Sequence, residues 1–194
     1  MSNEPIGRIL GGDEETLRAG RKALDAMAVD LDLETDTVPH LSRTQRTIGR
    51  PVSVQGPGTF FGKATRKLTF EPTHKEGWWF DRTDLPGRLP VKVSVRNVWN
   101  TGQIVSNIVL RSGPPDNYMR LTEHIIFLRM AGGIHNLLIR ADSGDPPLLA
   151  GYGREILDAL DSAGTSESPR PVRFVTVKEK ISLGGARGDF LTLS

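Results

Sequence analysis

Glu123-His124 is the pair in this sequence whose residue types first suggest catalysis. An imidazole can ligate a divalent metal, and a carboxylate beside it can take a proton from the metal-bound water. Neighbours on a helix point roughly 100° apart, so the two would divide labour rather than chelate one ion together. A catalytic zinc takes about three protein ligands. No other His lies at helical spacing from His124: His135 follows beyond Gly132-Gly133, His74 sits in a turn-like segment, and His40 lies in the N-terminal tail. The alternative is a histidine that only closes a core or an interface. Residue types alone leave both readings open.

Other patterns carry less. Gly56, Gly58 and Gly62 are spaced like a glycine-rich loop, but the Gly-Lys-Ser/Thr ending of a phosphate loop and the dinucleotide spacing are both absent, so a turn is expected. Trp78-Trp79-Phe80 has the rings to stack a sugar or base. Alternation along a strand instead predicts one Trp in the core and the other at the rim. No Gly-x-Ser-x-Gly elbow supports a hydrolase triad.

The elements that must position these residues are bounded by composition. The chain has 194 residues, 37% of them hydrophobic, with 21 Gly and no Cys. It is long enough for one domain with a substantial core. Without Cys there are no disulfides, thiolate zinc sites or iron–sulfur clusters. Twenty-five Lys and Arg against 23 Asp and Glu leave a net charge of +2, which makes no electrostatic case for nucleic acid. No run approaches the roughly 18 apolar residues of a membrane span. The start lacks the basic-then-apolar order of a signal peptide, so a soluble, cytoplasmic protein is expected.

Three segments are expected: a helical extension over 1–44, a dense mixed region over 45–164, and a linker with short strands over 165–194. The first helix should run from Glu14 to Leu31, capped by Asp13, with Leu17, Leu24, Ala28 and Leu31 in one stripe. Strands are predicted around Leu68–Phe70, Gly77–Phe80, Val91–Val95, Gln103–Leu110 and Asn136–Ala141, with Gly56-Pro57-Gly58 as a tight turn. A hairpin through Gly184–Gly188 is the reading for the C-terminal strands. Helices are predicted over Tyr118–Ala131 and Gly153–Ala163. In the first of these, Leu121, Ile125 and Leu128 make a core face, while Ile126, Phe127 and Met130 add apolar surface elsewhere. A helix apolar nearly all round should be buried on more than one side.

From Gln45 onward the chain resembles a family. Gln45-Arg46-Thr47-Ile48 is similar to the opening of the UDP-3-O-acyl-N-acetylglucosamine deacetylases (LpxC), zinc enzymes of lipid A synthesis. Gly56-Pro57-Gly58-Thr59-Phe60-Phe61-Gly62 is similar to their Gly-Val-Gly-Leu-His-Ser-Gly turn. Leu121-Thr122-Glu123-His124 stands where they carry Thr-Val-Glu-His, and Gly133-Ile134-His135-Asn136 where they carry Gly-Ile-Asp-Asn. Pro147-Leu148-Leu149-Ala150-Gly151 resembles Pro-Ile-Met-Asp-Gly, and Val172–Glu179 looks like the first strand of the family's second domain.

The resemblance implies an α+β fold: a two-layer sandwich of a mixed, largely antiparallel sheet with a helix layer, here with an added N-terminal helix. It implies Glu123 as general base and His124 as one zinc ligand. The family's turn His is Phe60 here and its Asp before Gly is Ala150. His74-Lys75 imitates the start of the family's second zinc motif, but Trp78 stands where Asp is needed. Against the family, the chain is expected to be one domain short, so zinc is expected only where a second chain completes the site. A homodimer or a partner chain is then expected to cover the helix layer at Ile125, Ile126, Phe127 and Met130. Three functions follow: a non-catalytic binding or regulatory relative (a pseudoenzyme), half of a split deacetylase, or a homodimer that rebuilds a metal site from two His124.

Overall fold

Alternating apolar residues and well-placed caps build most of the molecule. The computed structural model describes residues 5–26, 44–60, 64–99, 108–151, 153–173, 175, 177–185 and 189–193. The continuation of the first helix to Leu31, the His40 tail, Phe61-Gly62 and the Gln103 end of a strand fall outside the described residues, as does the side chain of Met130.

In chain order, β1 (Arg8–Gly11) leads into α1 (Glu14–Asp25). Then come β2 (Thr44–Ile48), β3 (Val52–Pro57), β4 (Thr65–Glu71), β5 (Trp78–Arg82) and β6 (Val91–Lys92), followed by a 3-10 turn at Val95–Asn97. β7 (Leu110–Arg111) and β8 (Tyr118–Met119) precede two one-turn helices, α2 (Glu123–Ile126) and α3 (Leu128–Ala131). β9 (Leu137–Ala141), α4 (Arg154–Ala163), β10 (Thr165–Pro171), β11 (Ile181–Gly184) and β12 (Phe190–Leu193) complete the order.

The chain forms two compact units, residues 42–172 and residues 1–41 with 173–194. These boundaries differ from the three segments read from sequence. Thr165–Pro171 is not a spacer: it pairs antiparallel with β2, and Pro169 falls where the register shifts between Glu167 and Pro171. Strand prolines are tolerated at such irregularities. The two chain ends meet in the other unit, where β1 runs parallel to β11.

The central unit, 42–172, holds a five-stranded sheet in the order β3-β4-β9-β5-β6. Only β5 and β9 run parallel, so the sheet is mixed and largely antiparallel as expected. One row of residues, Val52–Phe70–Ile139–Phe80–Val91, crosses all five strands. Phe70, Ile139, Phe80 and Val91 in that row are fully buried. Ile125, Leu128, Ile156, Leu160 and Ala163 from the helices join the same core, which makes the second layer. The opposite sheet face carries Trp79 and Leu138 beside a polar cluster. Arg140 donates to Glu71 at 2.8 Å and to Asp81 at 2.6 Å, and the Glu71 hydrogen bond holds its guanidinium above the usual value. Trp78 lies in the core while Trp79 stays at the rim under Lys75, as alternation predicts.

Three predicted elements differ. The tight turn expected at Gly56-Pro57-Gly58 is instead the end of β3, where Gly56 pairs with Arg66 and Pro57 with Thr65. The helix expected over Tyr118–Ala131 is not continuous. Tyr118–Met119 pairs instead with Leu110–Arg111, and Leu121 takes a left-handed backbone, φ 49°, before α2 starts. Arg82 donates to the Tyr118 carbonyl at 2.7 Å, so tertiary partners claim the backbone that a helix would use. The strand expected over Val91–Val95 stops at Lys92, because Ser94 accepts the Arg96 N–H and starts the 3-10 turn.

In the terminal unit, 1–41 with 173–194, α1 lies on β11 and β12. Asp13 caps α1 by accepting the Thr16 N–H at 2.8 Å, and the Thr16 hydroxyl and N–H hold its carboxyl below the usual value. Leu17 approaches Gly184 so closely that a Cβ there would stand 2.8 Å from it. β11 and β12 form the antiparallel pair that the glycine-rich segment predicts. The first-strand reading of Val172–Glu179 finds no strand among the described residues.

Candidate functional site

The five motif segments form two clusters in the central unit. Gln45-Arg46 and His135-Asn136 build a structural node. Asn136, 1% exposed, accepts the Gly77 N–H at 2.8 Å and donates to Gln45 at 2.9 Å. Gln45 in turn donates to the Pro171 carbonyl. His135 Nδ1 accepts the Arg46 N–H at 3.0 Å. A carboxylate at this position could accept the same bond, which rationalises His here in place of the family's Asp. Burial first, then Arg129 and Arg46, hold this imidazole below its usual pKa.

The other three segments converge. Thr59 from the turn, Leu121, His124 and Ile125 from the Glu-His segment, and Pro147, Leu148 and Leu149 from the last motif line one cavity of about 180 Å³. Pro146, Leu68, Gly153 and Ile156 close it, so its walls are almost wholly apolar. Gly153 starts α4 with φ 99°, and a Cβ there would meet the Phe127 ring at 3.2 Å. Only glycine suits both the left-handed backbone and the close approach.

The corner carrying Glu123 and His124 is fixed by a two-way clasp. Thr122 donates its N–H and its hydroxyl to the Ile108 carbonyl, at 3.2 and 3.0 Å. Glu123 Oε2 accepts the Ile108 N–H at 2.8 Å. Leu121 costs about 1–2 kcal/mol in its left-handed conformation, and strain of this kind clusters at functional sites. Glu123 Oε1 stands 3.9 Å from His124 Nε2, and the imidazole is largely exposed.

Around this corner lie groups that sequence reasoning passed over. Arg120 places its guanidinium 5.3 Å from the Phe60 ring centre and 5.1 Å from the Tyr118 ring centre. Asp145, buried, turns both carboxylate oxygens to the Phe60 N–H at 3.1 Å. Arg82 forks onto Asp84. Burial pushes the Asp84 carboxyl up, but the Arg82 hydrogen bonds and charge, with Arg66 beyond, bring it below the usual value. Of these, Phe60 was already marked by its place in the turn motif, whereas Arg120 and Asp145 carried no signal in the sequence.

The remaining predicted residues separate. Ile125 is buried in the core beneath the cavity, so it belongs to no free surface. Ile126 packs against the core, and Phe127 is 45% exposed. Ala150 is exposed beside a shallow groove along β3. His74 lies in a bend before β5, apart from the cavity lining.

Zinc catalysis needs a ligand set. Among the described residues no group of three or more His, Asp or Glu side chains is placed to hold a metal ion. His124 and Glu123 offer two donors of differing role, so the described residues do not by themselves fit a catalytic zinc. No described helix is long and apolar enough to cross a membrane.

Comparison with known proteins bears on the same segments. Residues 45–193 match the family described as LpxC: UDP-3-O-acyl N-acetylglycosamine deacetylase. The UDP-3-O-acyl-N-acetylglucosamine deacetylase of Bdellovibrio bacteriovorus is 35% identical over 138 residues, which is 71% of this chain and 44% of that protein. That of Chromobacterium violaceum is 31% identical over 138 residues, with the same shares. That of Brucella ovis is 26% identical over 148 residues, 75% of this chain and 50% of the relative. The chain thus spans half or less of the length of the curated relatives it matches. With its motif segments, mixed sheet and helix layer, the chain belongs to the LpxC family of deacetylases.

Proposed function

We propose that this chain acts as a binding or regulatory module of the LpxC family, not as a deacetylase on its own. One observation carries the reading. Three motif segments close round an apolar cavity, while among the described residues no group of three or more His, Asp or Glu side chains gathers at the Glu123–His124 corner. The replacements Phe60 and Ala150 point the same way. Each puts an apolar side chain where the family resemblance has a polar one.

The Glu123–His124 geometry favours a second reading. Glu123 Oε1 faces His124 Nε2 across 3.9 Å on a strained, clasped backbone, which suits a proton acceptor beside a metal ligand. In that case Glu123 is the general base, His124 one zinc ligand, and a second chain supplies the other ligands. A homodimer would bring a second His124, with exposed Phe127 among the apolar contacts. Cytoplasmic residence goes with either reading.

Zinc content and turnover of UDP-3-O-acyl-N-acetylglucosamine, measured on the purified chain, separate the two. The first reading expects no turnover and a zinc content unchanged by His124→Ala. Turnover abolished by both Glu123→Gln and His124→Ala would establish the second. Light scattering on the same samples reads the oligomer.

A further inference from the structure

We propose that the edge of the central sheet at residues 89–99 is a docking surface for an anionic phospholipid bilayer, with the protein resting on the interface rather than spanning it. The proposal goes beyond both readings of the Glu123–His124 corner, and none of the residues it uses lines the cavity there.

Charge singles out this stretch. Residues 85–115 carry four cations, Arg88, Lys92, Arg96 and Arg111, and no Asp or Glu. The whole chain is net +2, so the rest of it is net −2. Arg88 pairs with Asp116, just past the end of the stretch. Lys92, Arg96 and Arg111 join no ion pair among the described residues. On the sheet face that Lys92 shares with Trp79, the carboxylates of Glu71 and Asp81 are already held by Arg140.

Exposure singles it out again. Four of the eight exposed large apolar side chains described in the central unit fall within residues 89–99: Leu89, Val95, Val98 and Trp99. Leu89 and Val95 are 80% and 88% exposed. Side chains held that far into water bury little in the fold, and clustered ones mark an interaction surface.

The backbone keeps cations and apolar tips together. Lys92 pairs with Trp79 across β6 and β5, and its ammonium stands 5.4 Å from that ring centre. The Asn97 side chain donates to the Lys92 carbonyl at 2.8 Å, which ties the 3-10 turn at Val95–Asn97 to the end of β6. Val95 and Arg96 are the exposed residues of that turn. Trp99 follows, donating its N–H to the Val109 carbonyl at 2.7 Å, and the Arg111 guanidinium lies over its ring at 4.4 Å. Two tryptophans that each carry a cation, with exposed aliphatic tips beside them, have the make-up of a bilayer interface. There the rings sit at headgroup level, the cations meet phosphates and the tips enter the acyl boundary.

The same features disfavour other partners. Nucleic acid would engage the cations and leave Leu89 and Val95 in water. A partner strand would find too short a ladder, because β6 has two residues and runs at once into the 3-10 turn.

Flotation of the full chain with vesicles tests this, using phosphatidylcholine alone or with roughly a quarter phosphatidylglycerol. Binding to the anionic vesicles is expected to be at least about tenfold tighter than to the neutral ones at ~0.1 M salt, and weaker at ~0.5 M. Lys92→Gln with Arg96→Gln should bring it down to the neutral-vesicle level. Val95→Asp should weaken it about tenfold, since the tip can no longer enter the acyl boundary. Arg18→Gln with Arg154→Gln removes the same charge from two exposed sites elsewhere and should leave binding unchanged. An unchanged near-ultraviolet circular dichroism spectrum confirms that each variant is folded. No binding to either vesicle, equal binding to both, or an equal loss in the Arg18 and Arg154 variant would each overturn the proposal. Anionic-vesicle binding unmoved by Val95→Asp would assign a plain polyanion site instead.

Discussion

The central and terminal units use the same kinds of residue in opposite ways. In the central unit, Phe70, Ile139 and Phe80 sit side by side on three adjacent strands, fully buried under the helix layer. In the terminal unit, Ser182 and Gly184 of β11 face α1, with Ser182 bonded to the Ile6 carbonyl at 2.7 Å. The alternate positions Leu183, Leu191 and Leu193 are 47%, 56% and 47% exposed. Leu183 and Leu191 are directly paired, and so are Ile181 and Leu193, so the exposed leucines share one face. Among the described residues, three strands and one helix bury one face of a sheet and leave the other bare. Small units of this kind are marginal by their surface-to-volume ratio. The comparison teaches that a strand's apolar residues stabilise only when a second layer covers them.

The sharpest way to test the contrast is to truncate the middle of the larger core. Phe80→Ala is expected to cost about 3–5 kcal/mol, since the ring is fully buried. Urea unfolding of the central unit, followed by Trp78 fluorescence, reads it. A cost near 1 kcal/mol would mean that the sheet collapses round the gap and that the two units differ less than their burial implies.

Next in size is the polar node. Asn136→Ala removes the acceptor for the Gly77 N–H and the donor to Gln45, both buried. Leaving such groups unsatisfied costs about 1–3 kcal/mol. Asn136→Asp should recover part of it, because a carboxylate still accepts from Gly77. Recovery equal to the native chain would show that the Gln45 link contributes nothing.

Much of this contrast was legible in the sequence. Alternation placed Leu68, Phe70, Trp78 and Phe80 inward, and Asp13 and Gly153 marked helix starts correctly. The family resemblance pointed to the mixed sheet and helix layer. The Tyr118–Ala131 segment was misread because its backbone answers to distant partners. The Arg82 side chain and the Ile108 peptide take groups that local pattern assigns to a helix. Arg120 was invisible for a similar reason: its meaning comes from two rings that the fold, not the sequence, brings to it. The pairing of the chain ends had no local signal, since β1 and β11 are far apart in sequence.

The terminal unit supplies a smaller effect. Leu191→Ser on the bare face is expected to shift stability by about 0.5 kcal/mol, as surface changes do. Hydrogen exchange should show β11 and β12 opening at a lower free energy than β5 and β9. A cost above about 2 kcal/mol for Leu191→Ser, or equal protection in the two sheets, would show that the leucine face is covered in solution and would dissolve the contrast.

The smallest expected effect reverses the order of the two units. His135 titrates below its ordinary value in the fold, held there by burial and then by Arg129 and Arg46. Its Nδ1 accepts the Arg46 N–H, which a protonated ring cannot do. The unfolded chain therefore binds a proton near pH ~6.5 while the folded chain resists until lower pH. Stability of the central unit should be complete above about pH 6.5 and decline as the pH falls through the lower, folded value. In the terminal unit the shifted group among those described is Asp13, a carboxylate held low by Thr16, whose window lies below the ordinary carboxylate range. Mild acid should thus loosen β9 and its neighbours while leaving β11 and β12 unchanged. His135→Asn keeps an acceptor for Arg46 and has no proton to take up. Hydrogen exchange of the variant between about pH 7 and pH 5, corrected for intrinsic rates, should show a flat opening free energy for β9. The same decline in the variant as in the native chain would move the acid sensitivity away from His135 and remove the difference in pH response between the units.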